Sequence, residues 1–343
     1  MIFRQLFDSV SGTYSYLIAS RPGAEALIID PVLDKVDRYV KLIQELDLSL
    51  VKAVDTHLHA DHVTGLGALR DRTRCITVMG AQSKADVVSM RLSDGDRLEI
   101  EGIGLDVIYT PGHTDDSYSF VMPDRVFTGD TLLIRGTGRT DFQNGDPRQQ
   151  YESIFGRLLC LPDSLLVYPA HDYKGDTVST IGEEKRNNPR LQVKDADAYV
   201  ELMNNLNLPN PKMMDVAVPA NMQIGFHQET VAARGWALTP EQGMAMLGGQ
   251  EAVLIDLREQ QERERHGRIP GAVHCPYASL AAELAGAGLL PELARNRRLV
   301  FFCAYGERSA MAVQAAQDAG VTAAQHIQGG IAAWKNAEGP VER

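Results

Sequence analysis

The stretch Thr56-His57-Leu58-His59-Ala60-Asp61-His62 constrains this chain more than any other, with three imidazoles and one carboxylate inside six positions. Neutral imidazole and carboxylate are ordinary ligands of zinc and iron. Leu50 to Asp55, mostly apolar, precedes it and reads as a short strand, and Val63 to Arg70 can follow as a helix. The cluster therefore sits on a loop at the C-terminal end of a strand, where α/β sheets place ligands. A lone His there would be a solvated loop residue. Four ligand-type side chains at this density point to a metal.

His and Asp also close several later strands. Tyr14 to Ile18 and Ala26 to Asp30 read as paired strands around the turn Arg21-Pro22-Gly23. His113 stands at the tip of Thr110-Pro111-Gly112-His113-Thr114, after a strand pair covering Arg97 to Tyr109. Asp130 ends a hairpin built around Pro123-Asp124, and His171 follows Val167-Tyr168-Pro169-Ala170. Each alone is an ordinary turn residue. Together with the first cluster they supply what a metal site on one rim of a sheet sandwich needs.

Composition narrows the classes. A length of 343 residues argues for two domains, and an apolar fraction of 44% supplies real cores. A net charge of -11 argues against a general nucleic-acid or anionic-membrane partner. The four cysteines, at 75, 160, 275 and 303, form no CxxC pair, which suits a reducing compartment. No run of about 18 apolar residues suggests a membrane span, and Asp8 and Ser9 interrupt the N-terminus before a signal-peptide core develops. A soluble cytoplasmic protein is expected, and a homo-oligomer is compatible with the sequence.

The series His57-x-His59-x-Asp61-His62, His113, Asp130 and His171 resembles the ligand series of the metallo-β-lactamase superfamily, with all seven positions filled. The resemblance implies an αββα sandwich with the metal at one edge. Leu132 to Gln143, Tyr168 to Gly175, Thr177 to Thr180, Asn188 to Leu191 and Ala217 to Met222 extend it to one branch, the persulfide dioxygenases. That narrower resemblance covers about residues 1 to 225. It implies one Fe(II) per chain, held by His57, His113 and Asp130, with positions left open for other ligands. His59, Asp61, His62 and His171 then orient those ligands or hold water, although spacing alone leaves a second metal open. The implied substrate is glutathione persulfide, oxidised with O2 and water to sulfite and glutathione. Arg139 is the first candidate for its carboxylates, beside Tyr173, with Arg186 third. An ion pair with Asp141 is an equally good reading of Arg139. Cys75 and Cys160 lie in apolar sequence and read as buried and inert.

Towards the C-terminus, Arg298 to Phe302 is a strongly apolar strand that delivers Cys303, and a helix starts near Ser309. A thiol in that position meets unpaired backbone N–H groups and the positive end of a helix dipole, and Arg308 adds a charge. These favour the thiolate. Cys303-Ala304-Tyr305-Gly306-Glu307-Arg308, with Asp256-Leu257-Arg258-Glu259, Ile269-Pro270-Gly271-Ala272 and Gly329 to Trp334, resembles a single rhodanese domain over about residues 240 to 343. A tyrosine-phosphatase loop would need Arg where Ser309 stands. Arg308 and Arg258 are candidates to bind a sulfonate or set the loop, and an ion pair with Asp256 or Glu259 reads equally well for Arg258.

The expectation is an α/β chain in two parts: an αββα metallo-β-lactamase sandwich at 1–228, a linker at 229–239, and a smaller rhodanese domain with a central parallel sheet at 240–343. The expected chemistry couples oxidation of glutathione persulfide to sulfur transfer between thiosulfate and glutathione through a Cys303 persulfide. The alternative is a dinuclear zinc thioester hydrolase like glyoxalase II, with the second domain as a sulfur carrier or a non-catalytic docking module.

Overall fold

In the computed structural model, which describes every residue except 207, 210–212 and 227, the chain divides into two compact units. One comprises Met1–Asp86 and Met90–Ile224, and the other comprises Val87–Ser89 and Gly225–Arg343.

The first unit holds two six-stranded mixed sheets. One contains β1 (Ile2–Asp8), β2 (Thr13–Ala19), β3 (Glu25–Ile29), β4 (Ser49–Val54), β5 (Ile76–Gly80) and β6 (Met90–Leu92), in that spatial order. Its first three strands pair antiparallel and its last three continue in parallel. The parallel strands read as unbroken apolar runs because both faces are covered: Leu27, Ile28, Ile29, Ala53 and Val54 are all fully buried. The helices Val36–Glu45 and Leu66–Thr73 pack on its outer face.

The other sheet contains β7 (Arg97–Ile100), β8 (Ile103–Tyr109), β9 (Tyr118–Val121), β10 (Arg125–Gly129), β11 (Leu166–Pro169) and β12 (Ser179–Thr180), in the order β12-β11-β10-β9-β8-β7. Helices Pro147–Gly156, Ile181–Asn187 and Ala196–Asn204 cover it through a core of Val126, Ile154, Val167, Ile181, Tyr199 and Met203. An aromatic layer joins the sheets. Phe3 and Tyr16 of the first meet Phe127 and Tyr168 of the second at ring separations of 4.9 to 6.2 Å. This is the αββα sandwich expected from the sequence. The loops after β4, β8, β10 and β11 carry every candidate metal ligand.

The second unit is built on a five-stranded parallel sheet in the order β13-β17-β16-β14-β15, with β13 (Ala237–Leu238), β14 (Ala252–Asp256), β15 (Val273–His274), β16 (Arg298–Phe302) and β17 (Ala324–Ile327). Its central strands bury Val253, Ile255, Leu299, Val300, Phe301 and Phe302 between two helical layers. The stretch 229–239, read as a linker, is structured instead. It carries most of the helix Gln228–Ala233 and the edge strand β13, which pairs with β17. Gln228, read as the end of the first domain, belongs to the second unit, where its side-chain amide donates to Tyr305 O at 3.2 Å. The local sequence there lacks a periodic signal because a two-residue edge strand is specified by its distant partner.

Candidate metal centre and cysteine loop

The loop after β4 is pinned by side chains from remote elements. Asp30, just past β3, accepts from Thr56 N–H at 2.7 Å and from the Thr56 hydroxyl at 3.1 Å. Asn221 donates to the carbonyls of His59 and His62 at 3.0 and 2.9 Å. Asp116 accepts from Leu58 N–H at 3.2 Å, and Gln143 donates to Leu58 O at 2.9 Å. A loop so rich in backbone polar groups stays buried because these partners satisfy them.

The same contacts fix which imidazole nitrogens are free. The Thr56 hydroxyl spends its proton on Asp30, so it accepts from His57 Nδ1–H at 2.9 Å. His113 Nδ1 lies 2.7 Å from the carbonyl of Arg139, which can only accept. Both rings therefore keep a bare Nε2. His113 Nε2 is 3.5 Å from Asp130 Oδ2, and His57, His113 and Asp130 offer donor atoms all within 4.8 Å of one another. Metal–ligand bonds of about 2.1 Å allow donors up to about 4.2 Å apart, so a small contraction closes the set on an ion. Asp130 Oδ1, buried without a hydrogen-bond partner, marks the same vacancy in bonding.

A second donor group stands alongside, formed by His59, Asp61 and His62. His59 Nε2 faces Asp30 at 3.2 Å and His62 Nδ1 faces Asp61 at 2.8 Å, which leaves His59 Nδ1 and His62 Nε2 buried and unpartnered. Asp61 Oδ2 also accepts from Thr13 at 3.1 Å and lies 3.4 Å from His171 Nε2. Burial opposes a proton on His171, but Asp130 and then Asp61 outweigh it and push its pKa up to about 10. Burial likewise opposes charge on Asp61, yet His171 and His62 hold its carboxyl well below the usual range. Burial and the neighbouring imidazoles push His57 well below the usual imidazole range, so it stays neutral and able to ligate.

These groups form one end of a cleft of about 280 Å³. Arg139 lines it, but its guanidinium is already committed. It binds both oxygens of Asp141 at 2.6 Å and donates to Pro209 O at 2.6 Å. Tyr173 lines the cleft too, 73% exposed at the rim and stacked parallel on His171 at 5.7 Å. Arg186 does not reach it. It lies on the exposed side of its helix, towards Asp163. Arg190 occupies the place expected for Arg186. It lines the cleft half-buried, donating to Thr137 O, with no carboxylate partner among the described residues. Asn188 and Pro189 break the helix before it and swing it inward. Lys174 is a further cation on the lining.

In the second unit, Cys303 follows β16 directly and is fully buried. Gly306 N–H donates to its sulfur at 3.1 Å, and Ser309 Oγ lies 3.7 Å away. The following helix is Glu307–Asp318, so Arg308 sits in its first turn. Arg308 does not project into the loop. It binds Glu262 through Nη1 and Nη2 at 2.7 and 2.6 Å, the Arg308 side chain being fully buried and Glu262 partly so. Arg258 is fully buried and forms the ion pair with Asp256 at 2.9 and 2.7 Å. Glu307 turns away from the sulfur to accept from Phe226 N–H at 3.1 Å. Cys75 and Cys275 are buried, whereas Cys160 is exposed at the end of a single 3-10 turn.

Comparison with known proteins agrees with this architecture. A metallo-beta-lactamase superfamily model matches residues 8–87 and 79–171, and a rhodanese-like domain model matches residues 239–337. The fold and donor set thus define a metallo-β-lactamase-type protein extended by a rhodanese-like domain. The human protein named persulfide dioxygenase ETHE1, mitochondrial, is 46% identical over 233 residues, spanning 67% of this chain and 91% of its own length. The bovine protein of that name is 45% identical over 66% of this chain and 89% of its own. The crystal structure of ETHE1 from Myxococcus xanthus superposes with a TM-score of 0.63 at 52% identity, covering 65% of this chain and 98% of its own. A metallo-beta-lactamase from Staphylococcus aureus shares the fold over 95% of this chain and 99% of its own, with a TM-score of 0.59 and 21% identity. The chain belongs to the persulfide dioxygenase family.

Proposed function

We propose that the first unit oxidises glutathione persulfide with O2 and water to sulfite and glutathione, at a single Fe(II) held by His57, His113 and Asp130. The observation that carries this is the convergence of two fixed Nε2 atoms with Asp130 at the floor of a cleft. Bound Fe(II) supplies open coordination positions and the one-electron chemistry that O2 requires. The protein supplies the rest. Arg190 and Lys174 hold the carboxylates of glutathione, while Arg139, tied to Asp141, shapes the wall and through its carbonyl orients His113. The exposed Tyr173 ring gives the thiol arm an apolar face. His59, Asp61, His62 and His171 position the ligands and ordered water. Asp61 is suited to that task because His62 and Thr13 already occupy it.

The second unit transfers sulfane sulfur. The Cys303 thiolate attacks the outer sulfur of thiosulfate. A new S–S bond forms, the bond to the SO3 group breaks, and sulfite leaves with the electron pair. Glutathione thiolate then takes the outer sulfur and releases the Cys303 thiolate, which gives the substrate of the first unit. The iron-loaded protein is expected to take up O2 on glutathione persulfide, with about one Fe per chain. Two zinc ions per chain and thioester hydrolysis without O2 uptake would instead establish the glyoxalase-II-like alternative. Cys303→Ser should abolish O2 uptake on thiosulfate plus glutathione and leave uptake on glutathione persulfide intact.

A further inference from the structure

The reading of Cys303 as sulfur carrier leaves open what holds its sulfur in the anionic form. Arg308 is the obvious cation, but its guanidinium is bidentate on the partly buried Glu262. Glu307, in the same turn, accepts from Phe226 N–H and faces away. Two neutral contacts remain at the sulfur: Gly306 N–H at 3.1 Å and the Ser309 hydroxyl at 3.7 Å.

The Ser309 hydroxyl has one proton and three neighbours. Gly306 O is 3.1 Å away, His326 Nδ1 is 3.2 Å away, and Cys303 is the third. His326 lies on β17 and is fully buried, and its Nε2 has no partner. Among the described residues no charged side chain contributes to its titration, and burial pushes its pKa down to about 4 against a backbone hydrogen bond of Ile327. An imidazole in that setting is neutral near pH 7 and a weak base, poorly suited to take the thiol proton. It can act only through its tautomer. A neutral ring with hydrogen on Nδ1 donates to Ser309 Oγ and fills that acceptor position, so the Ser309 proton is divided between Gly306 O and the sulfur, and an anionic sulfur draws it more strongly than a neutral carbonyl. The opposite tautomer accepts the Ser309 proton, turns it away from the sulfur, and buries an unsatisfied N–H at Nε2, a costlier arrangement.

We propose that His326 is a positioning residue for sulfur transfer: as the Nδ1–H tautomer it orients the Ser309 hydroxyl as a donor to the Cys303 thiolate and persulfide. This rests on Cys303 being the sulfur carrier. Anion stabilisation at this loop then comes from neutral donors, with Arg308 acting as a brace through Glu262.

Three measurements on the full-length protein test it. Nitrogen-15 NMR of His326, assigned by comparison with His326→Asn, should show hydrogen on Nδ1. Hydrogen on Nε2 overturns the proposal. The pH profile of Cys303 alkylation, read by mass spectrometry of its peptide, should shift upward by about one unit in His326→Leu, about a tenfold slower rate near neutrality. His326→Asn, which keeps a donor where Nδ1 stood, should restore most of it, and Ser309→Ala should match His326→Leu with no added effect in the double variant. An unshifted profile, or additive effects of the two substitutions, overturns the proposal. O2 uptake on supplied glutathione persulfide, a property of the first unit, should be unchanged in all of them, and an unchanged calorimetric melting transition of the second unit reports that each variant is folded. If Cys303→Ser still supports O2 uptake on thiosulfate plus glutathione, the underlying sulfur-carrier reading has failed, whichever tautomer His326 adopts.

Discussion

One hydroxyl and one carbonyl decide which nitrogens the metal site offers. Thr56 receives His57 Nδ1–H only because Asp30 takes the Thr56 proton. Thr56→Val should therefore release the His57 ring while leaving the three ligands in place. Iron affinity, measured by chelator competition, is expected to fall by roughly 10- to 100-fold. In the cleft, Arg190→Ala should raise KM for glutathione persulfide by about tenfold, corresponding to one charge-assisted contact, whereas Arg186→Ala should leave it unchanged. His326 carries a pH signature as well. Its folded pKa of about 4 lies below the unfolded value near 6.5, so the unfolded chain binds the extra proton between them. Its neutral burial therefore contributes fully above about pH 6.5, and roughly 3 kcal/mol is lost as pH falls towards 4. Chemical denaturation of the second unit across that range should show a decline that His326→Asn flattens.

Among the elements, the strands were legible because their apolar runs and their His or Asp endings are local facts. The donor series His57, His59, Asp61, His62, His113, Asp130 and His171 is thus legible in the chain itself, and the structure brings all seven to the loops of one rim. What the sequence hid is how elements meet. Arg186 and Arg190 are one helical turn apart in number, yet the break at Asn188 and Pro189 sends them to different surfaces. Cys160 follows Leu158 and Leu159 in apolar sequence, and a 3-10 turn of three residues points it outward. Asp30, Asp116 and Asn221 anchor the His-rich loop from far along the chain, and no local pattern announces them. Gly330 is a comparable case. A Cβ there would stand 2.4 Å from Cys303 O, at a φ of +61°. Gly330→Ala should displace the cysteine loop, abolish cyanide-dependent thiocyanate formation from thiosulfate, and spare O2 uptake on glutathione persulfide.

For the whole molecule, the two-part organisation was visible from length and motifs, but the boundary was not. A fragment starting at residue 240 lacks the helix Gln228–Ala233 and β13, and with them the buried Val231 and Leu238. Each such side chain contributes about 1.5–3 kcal/mol of burial. A fragment covering 225–343 is therefore expected to melt several degrees above one covering 240–343, measured by calorimetry.

Cys303 has no exposed surface, and its sulfur is framed by Gly306 and Ser309. A sulfur atom loaded onto it is stored out of sight of the surrounding solution. Thiols or peroxides in solution would reach it only through an opening of the loop, as would an added alkylating reagent. On the proposed reading, such a site would act as a safe for reactive cargo.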